Sequence, residues 1–320
     1  MFKLKYASIV FFCILLLAIS LFAGCDSSSD DSDTNTNTNN SINNTNYNNS
    51  NNNNNDNNSN NVNNTTNNET LITKIAFNSG NDIYIMDPDG TNQEQITSST
   101  GDLYYSPAVS PDGTKIAMVN EGDHTIYLIN IDGTGLTQLT DPADYSSDPI
   151  WFPDGSKIAF TGNNDIYTMN SDGTNVTAIT DSSGGDMFYS PAVSPDGNKI
   201  AMVNEADHNT YTINVDGTGL TQLTVSNAFD PCWTPDGLQI IYAGDDDILI
   251  MDADGSNSEI LLVGGTETYY EPSVSPNGDK VIFTKESDQN LYMMNIDGSG
   301  LIAVTTEGDQ SDPFWFTVAD

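Results

Sequence analysis

The chain has 320 residues, 45 of them acidic and 8 basic, for a formal charge of -37 with 37% hydrophobic residues. All the basic residues are lysine. This balance excludes a nucleic-acid binder, which needs a cationic face to displace counterions from phosphate, and equally excludes a polybasic attachment to anionic lipid.

Residues 1 to 25 read as an export signal. Lys3 and Lys5 give a positive start, Ala7 to Ala23 is an apolar run, and Ala23-Gly24-Cys25 places small residues before a cysteine. The segment resembles the lipobox of bacterial lipoproteins, departing from it at Phe22, where leucine is usual. That resemblance implies lipidation of Cys25, which becomes the mature N-terminus. An uncleaved membrane anchor is the other reading of the same run, and both place the protein outside the cytoplasm, tethered at a membrane of the bacterial cell envelope.

From Asp26 to Thr70 the chain is Asn, Ser, Thr and Asp with few exceptions, including 22 asparagines in 45 residues. Such a segment buries too little apolar surface to offset the entropy of ordering, so a disordered tether with a reach of roughly 35 to 40 Å is expected.

Residues 71 to 320 repeat one phrase six times. Ser106 to Thr140 recurs as Ser190 to Thr224 with six differences in 35 positions, and weaker copies run from Asp148, Asp230 and Glu271. The copy that opens at Leu71 lacks the leading proline phrase, which is found at the other end as Asp312-Pro313-Phe314-Trp315-Phe316. Lys-Ile-Ala-Phe and Ile-Tyr stretches have strand composition, and the Pro-Asp-Gly and Asp-Gly-Thr steps between them set turns. Each repeat is therefore a four-stranded antiparallel sheet, and the fold is an all-β six-bladed propeller whose C-terminal strand joins the N-terminal blade to close the ring.

The phrase Pro-x-Trp-x-Pro-Asp-Gly-x-Lys-Ile-Ala-Phe, followed by Ile-Tyr-x-Met-Asn-x-Asp-Gly-Thr, resembles the WD40-like repeat of TolB-type six-bladed propellers. The resemblance covers about 250 residues and implies a monomeric propeller that binds an envelope protein or peptide and is not an enzyme. It is specific for fold and much less so for function. TolB carries an α/β domain before its propeller; here the Asn-rich stretch runs straight into the first strand. The serine motif of the prolyl-oligopeptidase relatives is absent from the sequence.

Trp151, Trp233 and Trp315 recur every 82 residues, while Val109, Val193 and Val274 take the same slot in the intervening copies, so the period is a pair of blades. The tryptophans are expected between blades. Five lysines, Lys74, Lys115, Lys157, Lys199 and Lys280, precede the second strand, Gln239 breaks that series, and turn aspartates are their expected partners. Cys232, flanked by Pro231 and Trp233, reads as a packed thiol rather than a nucleophile.

Function is expected on the face shared by the loop entering each innermost strand and the loop between the second and third strands. Tyr104-Tyr105, Phe188-Tyr189 and Tyr269-Tyr270 put aromatic pairs there, and Asp148, Asp230 and Asp312 each precede a proline beside the channel mouth. Two functional readings stay open. Tyr105, Tyr189, Tyr270 and Glu271 form a surface for a basic protein segment, or Asp148, Asp230 and Asp312 hold calcium through oxygen ligands. A carboxylate-only, carbohydrate-active enzyme is a further alternative. His124 and His208 occupy equivalent loop sites, the third of which is Gln289, a pattern of duplication rather than of a designed site.

Overall fold

The computed structural model describes residues 71–99 and 101–319, so the signal-like segment with Cys25 and the Asn-rich stretch 26–70 lie outside the described residues. Within them run twenty-four strands, and the only helical elements are two single 3-10 turns, Pro142–Asp144 and Ser182–Gly184.

The strands group four to a blade. Blade 1 holds β1 (Leu71–Ser79), β2 (Asp82–Met86) and β3 (Glu94–Gln95), completed by β24 (Gln310–Ala319). Blade 2 holds β4 (Tyr104–Val109), β5 (Lys115–Asn120), β6 (Thr125–Asn130) and β7 (Thr137–Gln138). Blade 3 holds β8 (Ser146–Trp151), β9 (Lys157–Gly162), β10 (Asp165–Asn170) and β11 (Thr177–Ala178). Blade 4 holds β12 (Phe188–Val193), β13 (Lys199–Asn204), β14 (Asn209–Asn214) and β15 (Thr221–Gln222). Blade 5 holds β16 (Phe229–Trp233), β17 (Gln239–Gly244), β18 (Asp247–Asp252) and β19 (Glu259–Leu262). Blade 6 holds β20 (Tyr269–Val274), β21 (Lys280–Lys285), β22 (Asn290–Asn295) and β23 (Ile302–Ala303).

The innermost strands touch in sequence, β4 to β8, β12, β16, β20 and β24, and β24 returns to β4. Blade 1 is the expected split blade: β24 pairs antiparallel with β1 from Leu71↔Ala319 to Ser79↔Gln310. The ring thus closes by backbone hydrogen bonds between its first and last strands, which leaves no inner sheet edge open among the described residues.

A blade has no core of its own. Six apolar clusters each draw from two adjacent blades, as where Ala108, Ala117 and Ile126 of blade 2 meet Trp151, Ile158 and Phe160 of blade 3. Both faces of each second strand are therefore covered, which is why β5 and β13 read as nearly continuous apolar runs instead of alternating ones.

The two-blade period also has a packing cause. In blades 2 and 4 the innermost strand starts with a buried aromatic, Tyr104 or Phe188, and the second strand supplies Met118 or Met202. In blades 3 and 5 the equivalent position is Ser146 or, just before β16, Ala228, and the aromatic moves to the second strand as Phe160 or Tyr242. Blade 6 keeps both, with Tyr269 edge-on to Phe283 at 5.3 Å.

The tryptophans pack between blades as expected. Trp151 Nε1 donates to Ala108 O at 3.0 Å and Trp233 Nε1 to Ala192 O at 3.1 Å, each reaching the preceding blade. Trp315 Nε1 is buried and has no acceptor among the described residues.

Turn chemistry links blades as well as strands. In the Asp-Gly-Thr turns the aspartate takes its own i+2 backbone N–H and hydroxyl, as Asp132 does from Thr134 at 3.0 and 2.6 Å. The glycine that follows has positive φ and lies against the outer strand of the preceding blade: a Cβ on Gly298 (φ +79) would sit 2.4 Å from Leu261 O. The closing threonine is a lock in five blades, where the Oγ1 of Thr97, Thr140, Thr180, Thr224 or Thr305 accepts the N–H of the second residue of the third strand at 2.9 to 3.0 Å.

The lysine expectation needs correction. Lys74 does pair with an aspartate, Asp87, at 2.6 Å. Lys115 and Lys280 instead donate to Asn130 and Asn295, because the residue across the ladder from the lysine is asparagine in those blades.

Two outcomes follow in chemical denaturation. Gly298→Ala lowers unfolding free energy by at least about 1 kcal/mol, since positive φ and the Leu261 carbonyl both oppose a Cβ, while Gly184→Ala, with nothing within 4 Å, is near neutral. Trp233→Phe costs more than Trp315→Phe by about 1 kcal/mol, because only Trp233 gives up an indole hydrogen bond, one that is partly buried.

Candidate binding face and channel mouth

Each innermost strand carries an irregularity at the same place. The ladder shifts register between Tyr105 and Ala108, Ser147 and Ile150, Tyr189 and Ala192, Phe229 and Cys232, and Tyr270 and Ser273; the β24 pairing shifts in the same slot. At each shift a residue in the left-handed region precedes a proline: Ser106, Asp148, Ser190, Asp230, Glu271 and Asp312, with φ between 49 and 57. Left-handed backbone is costly for these residue types, and six such bulges on the innermost strands place one polar side chain per blade at the channel.

Five of these six side chains bond across the blades, and Asp148, bonded within its own blade, acts on Asp230 through its charge. Asp312 Oδ1 accepts from Ser106 Oγ at 3.2 Å, and Asp230 Oδ1 accepts from Ser190 Oγ at 3.1 Å. The backbone N–H of Glu271 donates to Asp230 Oδ2 at 3.2 Å, and that of Asp312 donates to Glu271 Oε2 at 2.7 Å. Asp148 accepts from Ser147 Oγ at 2.8 Å and Thr161 Oγ1 at 3.2 Å. The three aspartates singled out in the sequence therefore lie in one ring, with Glu271 as a fourth acid. Ser106 and Ser190 complete it; sequence reasoning passed over them, though both stand before proline in the same slot.

Burial raises the Asp230 carboxyl to about 6, and the charges of Asp148 and Asp312 push the same way against the bonds from Glu271 and Ser190. Among the described residues no group of three or more His, Cys, Asp or Glu side chains is arranged to hold a metal ion. The thiol of Cys232 is held up at about 11 by burial, which leaves little thiolate at neutral pH.

The aromatic pairs divide. Tyr104, Phe188 and Tyr269 are core residues, edge-on to Tyr127, Tyr211 and Phe283. Tyr105, Tyr189 and Tyr270 are half-buried instead of standing open on a loop. Burial raises the Tyr189 hydroxyl, with Asp230, Glu205 and Asp148 adding to it, and raises that of Tyr270, with Glu271 adding to it. Tyr189 and Tyr270 thus lie close to carboxylates of the ring. The pairs divide because of strand alternation: all six aromatics lie within strands, so one of each pair must face the core.

The two loop sets do share one face: Glu121 N donates to Leu103 O, Glu205 N to Met187 O and Glu286 N to Thr268 O. Several loop acids there are engaged in their own blade, since Asp123, Asp207 and Asp288 accept the hydroxyls of Tyr127, Tyr211 and Tyr292. Among the described residues the cation outside the lysine series, Lys285, lies 3.3 Å from Glu267 and 3.8 Å from Asp288. His124 stacks on Tyr145 at 5.5 Å and His208 tilts on Phe229 at 5.6 Å, so each joins its blade to the next.

Such a ring of four-stranded blades with polar residues on its innermost strands defines a repeat-built six-bladed β-propeller. Residues 64–248 match the TolB beta propeller domain, PD40, and the chain belongs to that family. A TolB homologue of Chlorobium chlorochromatii is 32% identical over 138 residues, 42% of this chain and 31% of its own length. The structure of a TolB-related protein from Agrobacterium tumefaciens superposes with a TM-score of 0.62 at 19% identity, covering 78% of this chain and 99% of that one. TolB of Acinetobacter baumannii gives 0.64 at 24% identity, covering 76% and 66%. The chain spans 16 to 31% of the length of the curated TolB homologues it matches.

Because Asp230 binds its proton more tightly folded than unfolded, its own contribution to stability is fully present below the ordinary carboxyl value of 3.8 and is lost as pH rises through about 6. Asp230→Asn is expected to melt higher than wild type at pH 7 and to show a flatter melting profile between pH 7 and pH 4. The turn aspartates act oppositely: hydrogen bonds hold Asp132, Asp172 and Asp216 below 3.8, so their contribution disappears only as pH falls past that value. Calcium that raises the wild-type melt and leaves Asp230→Asn unmoved would place a cation at Asp148, Asp230 and Asp312.

Proposed function

We propose that the protein is a membrane-anchored, extracytoplasmic lipoprotein of the bacterial cell envelope whose propeller serves as a non-enzymatic scaffold for protein interaction. The observation that carries this reading is the composition of the loop face: Glu121, Glu205 and Glu286 open three threefold-related loops around a channel ringed by Asp148, Asp230, Asp312 and Glu271. A face of one sign steers a basic segment toward it and rejects acidic ones. Membership of the TolB propeller family supports an envelope partner, and the signal-like start with Cys25 supports the anchor.

A structural role for the channel acids supports the absence of catalysis. Asp230 and Glu271 each take a backbone N–H of the next blade and so hold blades in register, while Asp148 takes two hydroxyls of its own blade and braces its bulge. A glycosidase needs one acid pair kept for proton transfer and nucleophilic or base attack.

The test is affinity capture from envelope extract with the tagged chain, in low and in moderate salt. A partner retained at low salt, weakened by screening and lost with Glu121→Gln, Glu205→Gln and Glu286→Gln combined is the expected result. A partner indifferent to both salt and the triple variant would show that binding uses another surface.

A further inference from the structure

Blade 5 departs from the repeat along its outer edge. Five blades end in a two-residue outer strand, whereas β19 has four residues, Glu259–Leu262. The locking threonine is missing, because Leu261-Leu262-Val263 carry no hydroxyl, and an extra residue enters through a register shift against β18. Opposite the third strand, where other blades place Gln95, Gln138, Ala178, Gln222 or Ala303, blade 5 places Ile260. Ile260 is 52% exposed and Val263 69%.

Charge singles out the same blade. Residues 229–264 contain eight acids and no lysine, since Gln239 takes the lysine position. The acids bracket the edge: Glu259 opens β19, and beyond its other end Gly264 N donates to Asp247 Oδ1 at 2.7 Å. An exposed edge presents unpaired N–H and C=O groups, and proteins ordinarily blunt such edges with lysine, proline or a very short strand. Blade 5 has a longer, apolar strand and no cation. A second copy of this chain would bring the same eight carboxylates against the first, so the fitting occupant carries the opposite charge.

We infer that the outer edge of β19 is an interaction surface that takes an extended segment of a partner protein as a fifth strand, apolar at its centre and with lysine or arginine at both ends. Main-chain hydrogen bonds supply the pairing, Ile260 and Val263 the apolar contact, and Glu259 and Asp247 the end recognition. This surface is separate from the loop face and does not depend on it.

The test is titration of the full chain with the peptide Lys-Lys-Thr-Val-Thr-Val-Thr-Lys-Lys and with the same peptide N-methylated at every amide of its Thr-Val-Thr-Val-Thr core. The unmodified peptide is expected to bind, with at least about tenfold weakening both on N-methylation and with Ile260→Gln plus Val263→Thr, two exposed positions where the changes leave the core untouched. The triple glutamine variant of the loop face should bind it as wild type does. Equal binding of both peptides would reduce the contact to charge attraction and overturn the proposal, as would no binding of either. Self-association in sedimentation that Ile260→Gln plus Val263→Thr abolishes would also overturn it, making the occupant a second copy.

Discussion

A four-stranded blade that buries both of its faces cannot be stable alone, and the rest of this structure depends on that constraint. Every apolar cluster is shared between neighbours, so the six blades must form a closed circle for each to find two partners. Closure is covalently broken only at blade 1, where the β1 and β24 ladder joins residues more than 200 positions apart. Loop-closure entropy rises only slowly with length, which makes so distant a pairing affordable once the intervening blades have stacked. The same constraint explains the close approach of turn glycines to the neighbouring outer strand and the indole bonds of Trp151 and Trp233.

The channel ring is a second product of that geometry. Innermost strands crowd at the axis, and each relieves the ladder with a bulge before its proline, turning one side chain inward. Asp230, Glu271 and Asp312 accept donors from the adjacent blade, so these acids tie the ring together on the side where repulsion would otherwise open it. The cost is visible at Asp230, whose proton is retained to about pH 6. Stability and the negative field at the channel are thereby coupled through the same residues.

Repetition hides individuality, and blade 5 shows how. Its loss of lysine and of the locking threonine follows from small sequence changes, but together they lengthen an edge strand and expose Ile260 and Val263. The closing interface differs too: Trp315 Nε1, Gln289 Oε1 and Gln310 Oε1 are buried there without partners among the described residues.

Turn phrases, strand composition and the displaced proline motif were sufficient to read six blades, their pairing into threefold order and the closure by the last strand, because these are local patterns copied along the chain. The acid slots before proline were equally legible in Asp148, Asp230 and Asp312. What the sequence left undecided was direction and partner. Whether Tyr104 or Tyr105 faces the core depends on strand phase, whether Lys115 meets an aspartate depends on the residue across the ladder, and whether Asp123 is available for binding depends on the Tyr127 hydroxyl. Those outcomes are set by contacts between residues distant in the chain, and only the packed tertiary structure brings such residues together.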